Sequence, residues 1–172
     1  MAVFFTADTH FGEHKTFELS RRPFPSLSTM DSFLITNWNN IITNKDTVYH
    51  LGDFGDPRIL KLLNGQEIVL IPGNHDTKDI INRLQRDPRF RIGKTDEFYK
   101  PDHLFKMVHK PGRAKSLKRF YLYGHIHGVQ KIKRNGLNVG IDCHNFMPID
   151  FDTVMWWRNI TMGESDGLSE VS

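Results

Sequence analysis

Five short apolar runs in this sequence each end in a small group of aspartate, asparagine or histidine residues. The runs have the composition of buried strands, and a glycine or another small residue often marks the point where the backbone turns. In chain order, the five groups are "ADTH", "GDFGD", "GNHD", "VH" and "GHIH". Because loops at the carboxyl ends of strands in an open α/β sheet form its binding crevice, we expect these side chains to meet there.

The order of the predicted elements indicates an α/β fold. Strand-like runs at residues 3–7, "TVYHLGD" and "EIVLIPG" alternate with helical patterns. After Arg91 the chain consists mainly of short strand-like runs, so the second half is predicted to be mostly β. Residues 12–28 carry two prolines and read as a long loop. The helical patterns cover residues 29–42, 57–63 and 77–85.

The chain has 172 residues, which suits one domain with a substantial core. We predict a single domain over residues 1–160 and a flexible polar tail over residues 161–172. No apolar run approaches the roughly 20 residues that span a bilayer, and the N-terminus lacks the basic region of a signal peptide. Cys143 is the only cysteine, which excludes an internal disulfide and fits a reducing compartment. We therefore expect a cytoplasmic protein that does not act on a membrane.

Positive charge is concentrated in one segment, although the net charge of the whole chain is only +3. Six lysine or arginine residues and no acids lie between residues 106 and 119. A run of this kind is typical of a solvated turn, but His109 lies inside it, at one of the five strand ends. The segment is therefore either a solvated basic turn or a guide for an anionic substrate at the rim of the crevice.

The residue types at the strand ends are those of a site for divalent metal ions. Imidazole, carboxylate and amide groups without thiolate suit Mn, Fe, Zn, Ni or Co better than a structural cysteine-based zinc site. His125 and His127 are two residues apart, so an extended chain directs both imidazoles to one side. The potential ligands are too many for one catalytic ion, which keeps an open position, and they suit two ions that share a carboxylate.

Five short motifs follow one another in a specific order, namely Asp8-x-His10, Gly52-Asp53, Gly73-Asn74-His75-Asp76, His109 and Gly124-His125-x-His127. In type, order and approximate spacing this set resembles the motifs of the calcineurin-like metallophosphoesterases. The resemblance extends over most of the chain, from Val3 to about Asp152, and is to the small bacterial and phage members without a cap domain. It implies a two-sheet α/β/β/α sandwich, in agreement with the strand ends described above.

The resemblance also implies a division of the ligands between two divalent ions. Mn is the metal expected in vitro, with Fe, Ni, Zn or Co as alternatives, and Asp53 is the expected bridging ligand. The remaining ligands are Asp8, His10 and His127 for the first ion, and Asn74, His109 and His125 for the second.

Further residues receive roles at the reacting phosphate by the same resemblance. His75 is expected to face the leaving group, as a general acid or as a donor that stabilises its charge. Asp56 is expected to orient that histidine, although an aspartate before a proline is also an ordinary helix cap. Asn74 and Arg22 are the residues expected to bind the substrate, and for Arg22 a structural salt bridge is the alternative.

The implied function is hydrolysis of phosphoesters by a hydroxide that bridges the two ions. Two divalent ions against two ligand carboxylates leave the site net positive, as a phosphate ester requires. Phosphodiesters and nucleotide-like compounds are the expected substrates, with nucleic acid as a variant. The alternative from another class is a non-catalytic, metal-binding scaffold for protein interactions with the same fold. Loss of the histidine in "GNHD" would favour the scaffold, and here His75 is present.

Overall fold

The computed structural model describes residues 1–94, the backbone of residues 97–98, and residues 105–163. The α-helices in these ranges are α1 (His14–Ser20), α2 (Leu27–Ile41), α3 (Lys78–Leu84) and α4 (Phe151–Met162). The strands are β1 (Val3–Thr6), β2 (Thr47–His50), β3 (Glu67–Leu70), β4 (Phe90–Ile92), β5 (Glu97–Phe98), β6 (Phe105–Met107), β7 (Phe120–Tyr123), β8 (Ile132–Lys133), β9 (Gly136–Asn138) and β10 (Ile149–Asp150). Short 3₁₀ helices lie at Pro57–Leu62, Pro111–Arg113, His127–Val129 and Ile141–Cys143.

The strands form two mixed sheets in which the parallel strands dominate. The first sheet has the order β10-β1-β2-β3-β4, with β10 antiparallel to β1 and the other strands parallel. The second has the order β5-β6-β7-β9-β8, and its edge strands β5 and β8 are antiparallel to their neighbours. Thr6 pairs with His50, and His50 pairs with Leu70, so β1, β2 and β3 end at the same level. The loops that follow these strands therefore start side by side.

The hydrophobic core lies on both faces of the first sheet. Phe4 of β1 belongs to the cluster under α2 and α3. Successive side chains of a strand point to opposite faces, and Phe5 accordingly belongs to the cluster between the two sheets, together with Leu122 of β7. Helix α4 contributes Val154 to this second cluster. The prediction of a two-sheet sandwich with flanking helices is confirmed.

Helix α2 covers one face of the first sheet with a single apolar stripe. Ser26 caps its N-terminus by accepting a hydrogen bond from a backbone N–H of the first turn at 3.2 Å. Met30, Leu34 and Trp38 are buried, and their spacing of four residues places them on one side of the helix. The indole N–H of Trp38 donates to the carbonyl of Asn64 at 2.8 Å, which satisfies the polar atom of this large side chain.

Two helices differ from the sequence prediction. The expected loop at residues 12–28 contains α1, and the mostly β second half ends in α4. Helix α1 is only seven residues long and buries only Thr16, so its apolar periodicity is weak, whereas α4 packs Phe151, Val154 and Met155 against the core at a helical spacing that the prediction missed. Helix α4 extends into the predicted tail at residues 161–172, and residues 164–172 lie outside the described ranges. Within those ranges, no helix has both the length and the apolar character that crossing a bilayer requires.

Candidate metal centre

The predicted metal ligands lie where the backbone is strained. Positive φ angles are uncommon for residues other than glycine, yet they occur at five of the seven predicted ligands. Backbone strain of this kind clusters at functional sites, because surrounding structure must enforce it. The five residues are Asp8 (φ 58°), His10 (φ 49°), Asp53 (φ 60°), His125 (φ 75°) and His127 (φ 47°).

Two glycines allow the strand ends to approach each other closely. A Cβ atom at Gly124 would lie 2.6 Å from the Cβ of Ala7 and 2.8 Å from Oδ2 of Asp8. A Cβ atom at Gly73 would overlap the carboxylate of Asp53 and lie 2.6 Å from its backbone nitrogen. Contacts this short leave no room for a side chain, so both positions require glycine.

Asp53 lies between two groups of potential ligand atoms. Its Oδ2 is 3.6 Å from Nε2 of His10 and 3.4 Å from Nε2 of His109. Asp8, His10 and Asp53 form one set whose ligand atoms all lie within 4.8 Å of one another, and Asp53, His109 and His125 form another. The carboxylate common to both sets is the one to which the sequence resemblance assigns the bridging position.

The other predicted ligands border these two sets. Oδ1 of Asn74 lies 3.1 Å from Nε2 of His109. The imidazole of His127 stacks on that of His10, with 5.2 Å between the ring centroids. The ring of His125 lies against that of His109, at 5.0 Å between centroids. The structure therefore brings all seven predicted ligands into one cluster.

Three of the histidines are held through Nδ1, which leaves Nε2 to the cluster. Such a hydrogen bond sets the tautomer and the direction of the ring, as it does for metal-binding histidines in general. The acceptors are the Leu51 carbonyl for His109 at 2.8 Å, the Glu13 carboxylate for His10 at 2.8 Å, and the Asp142 carboxylate for His127 at 2.9 Å.

The polar atoms of the cluster fit a divalent cation. Nε2 of His10 is buried, and among the described residues it has no hydrogen-bond partner, which is costly unless a ligand satisfies it. Burial raises the pKa of Asp8, so the protein alone compensates its negative charge poorly. For Asp53, burial alone would raise the pKa, but the hydrogen bond from His109 and the charges nearby lower it. Imidazole, carboxylate and amide donors around these atoms suit a divalent metal ion.

A buried carboxylate that the sequence prediction did not include lies behind His127. Asp142 accepts hydrogen bonds from His127 and from Nε and a terminal nitrogen of Arg22, each at 2.9 Å. Burial alone would raise the pKa of Asp142, but the hydrogen bonds from His127 and Arg22 lower it to about 2. The hydrogen bond to Asp142 in turn raises the pKa of His127. The Asp142 carboxylate thereby orients the imidazole and increases its basicity.

Arg22 lies in the structure as the ion-pair partner of Asp142. Its side chain is only 1% exposed, and its other N–H groups donate to the backbone carbonyls of Asp8 and Thr9 and to the sulfur of Met30. Together with the two bonds to Asp142, these contacts engage all five N–H groups of the guanidinium. This geometry is the structural salt bridge that the sequence analysis gave as the alternative role of Arg22. The predicted contact with a substrate phosphate would require some of these bonds to break.

His75 lies at the edge of the cluster. Its side chain is 42% exposed, and its ring packs edge-on against His10 with 5.0 Å between the centroids. Its backbone N–H donates to Oδ1 of Asp53 at 2.9 Å, which anchors the loop to the shared carboxylate. The carboxylate beside its Nδ1 is that of Glu13, at 3.3 Å. The partly exposed imidazole of His75 thus lies beside the cluster of predicted ligands.

The carboxylate of Asp56 makes its hydrogen bonds with Arg58. It caps the 3₁₀ helix at Pro57–Leu62 by accepting from the backbone N–H of Arg58 at 2.9 Å. The side chain of Arg58 also donates to both of its carboxylate oxygens, and these hydrogen bonds lower the pKa of Asp56. The geometry is that of the helix cap considered in the sequence analysis.

A cleft of about 760 Å³ opens over the cluster. Its lining includes His10, His75 and His127, together with Leu19 from α1 and Val129 from the neighbouring 3₁₀ helix. Leu19 is 73% exposed and Val129 is 85% exposed, so aliphatic surface is open to solvent beside the imidazoles. Its volume lies within the range of ordinary small-molecule pockets.

The basic segment at residues 106–119 begins at the rim of the cluster. Burial lowers the pKa of His125, and the positive charges of His109 and Lys110 lower it further. Lys110 is therefore close enough to act on the cluster electrostatically.

Known proteins share both the sequence pattern and the fold. A family model described as the calcineurin-like phosphoesterase superfamily domain matches residues 1–141. An uncharacterized protein of Methanocaldococcus jannaschii is 31% identical over 170 residues, which cover 89% of each chain. The crystal structure of a protein of unknown function from Aquifex aeolicus superposes with a TM-score of 0.70 at 21% identity, covering 90% of this chain and 98% of that one. A Pseudomonas putida nuclease superposes with a TM-score of 0.50 at 20% identity, covering 73% of this chain and 61% of that one.

Proposed function

Because the chain belongs to the calcineurin-like phosphoesterase superfamily, we propose that it hydrolyses phosphoesters at a centre of two divalent metal ions. The observation that carries the proposal is the position of Asp53. One of its carboxylate oxygens lies within 3.6 Å of two imidazole nitrogens that belong to different ligand sets. A carboxylate in that position is suited to bridge two ions.

We divide the ligands as the sequence resemblance implies. Asp8, His10 and His127 would hold the first ion, and Asn74, His109 and His125 would hold the second. Bound there, the ions would lower the pKa of a shared water and withdraw negative charge from the phosphoryl oxygens. The protein's own contribution is to fix the imidazoles through Nδ1 and to keep Asp8 and Asp53 buried beside them.

His75 is the residue that assists the leaving group. It lies in the lining of the cleft, beside but outside the two ligand sets that share Asp53. An imidazole there can donate a proton to the departing oxygen, or a hydrogen bond to its developing charge. Asn74 contacts the substrate as well, through the amide nitrogen that its role as an oxygen ligand leaves available.

The substrate class that the cleft supports is a phosphodiester or a nucleotide-like ester. Aliphatic side chains at Leu19 and Val129 offer contact area for an organic group next to the reacting phosphate. Lys15 lies in the same lining, and Lys110 adds positive charge from the basic segment. A small inorganic or alkyl phosphate would use little of this surface.

The direct test is metal dependence across a panel of esters. Protein stripped with a chelator is reloaded separately with Mn, Fe, Ni, Zn, Co or Mg and assayed on phosphomonoesters, linear and cyclic diesters, and nucleic acids. We expect turnover only after reloading, and higher kcat/KM for diesters with an organic group that fills the cleft. Metal-free protein that is as active as reloaded protein would exclude the mechanism.

A second test separates His75 from the metal ligands. His75→Ala is expected to keep its metal content and to lose about 100-fold or more in turnover on esters with poor leaving groups, which is the usual contribution of a general acid. His14→Ala is the matched control, since His14 is an exposed histidine of α1. Unchanged turnover in His75→Ala would remove this residue from the mechanism.

A further inference from the structure

One carboxylate oxygen lies between a proposed metal ligand and the proposed leaving-group residue. Oε2 of Glu13 is 2.8 Å from Nδ1 of His10 and 3.3 Å from Nδ1 of His75. The hydroxyl of Thr16 donates to the same oxygen at 2.9 Å. Thr16 is buried, so this bond helps to hold the carboxylate in place.

The position of Glu13 in the chain makes this arrangement informative. It is the N-cap residue of α1, where a side-chain acceptor commonly bonds to the free N–H groups of the first turn. The Glu13 side chain makes no such bond and is directed to the two histidines instead. The start of α1 therefore lacks a side-chain cap, and the carboxylate lies beside the cluster of predicted ligands.

Asp56, the residue expected to orient His75, has other contacts. Both of its oxygens accept hydrogen bonds from the Arg58 side chain, and one also caps a 3₁₀ helix. An orienting carboxylate has to lie within hydrogen-bond reach of the imidazole. Glu13 approaches that distance, at 3.3 Å from Nδ1 of His75.

We propose that Glu13 is the positioning residue for His75 and couples its orientation to the first metal ligand, His10. The inference rests on the proposed phosphoesterase function. By accepting from Nδ1–H of His75, the carboxylate would fix the tautomer and the direction of the ring, which leaves Nε2 to serve the leaving group. The same oxygen accepts a hydrogen bond from Nδ1 of His10. One carboxylate would therefore orient both His75 and the proposed metal ligand His10.

The experiment is a double-mutant cycle with two substrates. Wild type, Glu13→Ala, His75→Ala and the double variant are assayed at saturating metal on one ester with a good leaving group and one with a poor leaving group. Glu13→Ala is expected to lose about 10–100-fold in kcat on the poor leaving group, the range typical of a carboxylate that orients a functional histidine, and much less on the good one. In the His75→Ala background, removal of Glu13 should add only a small further loss, because the two residues act as a unit.

Controls separate positioning from general damage to the site. Glu13→Gln keeps an oxygen acceptor and should restore part of the turnover on the poor leaving group. Glu18→Ala, at an exposed glutamate of α1, is the matched control and should leave the ratio between the two substrates unchanged. The metal content of each variant is measured by mass spectrometry, and titration determines the affinity for Mn.

The outcomes that overturn the inference differ from failure of the proposed function. A Glu13→Ala loss that is equal on both esters and persists undiminished in His75→Ala would show that Glu13 supports only the metal ligand. A metal content of three ions per chain in wild type and two in Glu13→Ala would also overturn the inference. It would mean that His10, Glu13 and His75 bind a cation of their own, as their mutual distances permit. Wild-type protein that hydrolyses no ester with any metal would refute the phosphoesterase function itself.

Discussion

Replacing Asp142 by asparagine removes the charge that lies between Arg22 and His127. The guanidinium of Arg22 remains buried and keeps its bonds to backbone carbonyls, but it loses its counter-charge. The pKa of Asp142 is lowered from 3.8 to about 2, and each factor of ten in proton affinity corresponds to about 1.4 kcal/mol. The ionised carboxylate thus contributes about 2 kcal/mol to the free energy of unfolding at neutral pH. For a domain of this size we expect a fall in Tm of roughly 4–8 °C.

The assay is thermal and urea unfolding of metal-free protein, so that changes in metal affinity do not enter. Asp152→Asn is the matched control, because Asp152 is an exposed aspartate in the first turn of α4. The folded-state pKa of Asp142 is depressed, so its contribution is present above pH 3.8 and is lost as the pH falls through about 2. The difference between wild type and Asp142→Asn should therefore shrink over that interval. Equal stability of the two variants at neutral pH would refute the reasoning.

Three further perturbations test other parts of the structure. Gly73→Ala should weaken metal binding more than tenfold by titration, because its Cβ would overlap the Asp53 carboxylate, whereas Gly112→Ala, which has open space around it, should bind like wild type. Trp38→Ala should lower the free energy of unfolding by about 3–5 kcal/mol in urea, and a cost below 1 kcal/mol would contradict the packing of α2. Asp46→Asn should cost roughly 1 kcal/mol at pH 7, since its carboxylate accepts bonds from Ala2 and Thr43 that lower its pKa to about 2. That cost should disappear as the pH falls from 3.8 through about 2, and a cost that persists in acid would contradict the assignment.

The clustering of the candidate metal ligands could be predicted from the sequence because it follows from strand geometry. Asp8, Asp53 and Asn74 each come shortly after a parallel strand, and the three strands end at one level. Any chain with this order of elements places those loops together. The buried stripe of α2 could be predicted for a similar reason, since its periodicity is a local property of the chain.

The residues that support the ligands could not be predicted in the same way. Asp142 meets Arg22 across 120 positions of the chain, and no local pattern links an aspartate in a turn to a distant arginine. Glu13 is close to His10 in sequence, but its contact with His75 joins two segments that are 62 positions apart in the chain. For Asp56, two local interpretations compete, and the neighbouring Arg58 favours the helix cap. Contacts between side chains that are distant in the sequence depend on tertiary packing. These contacts are therefore the features of the site that the sequence alone does not predict.

The backbone strain and the electrostatics of the cluster have a common explanation. Five ligand residues with positive φ cost together about 5 kcal/mol at the low end of the usual range, which applies because aspartate and histidine tolerate this region better than most residues. That sum is a large fraction of the 5–15 kcal/mol by which domains are stable. Burial of Asp8 and the unpaired Nε2 of His10 within the described structure add to the cost. Since the same atoms belong to groups that could hold a metal ion, binding of divalent ions is the interaction that would offset all three costs at once.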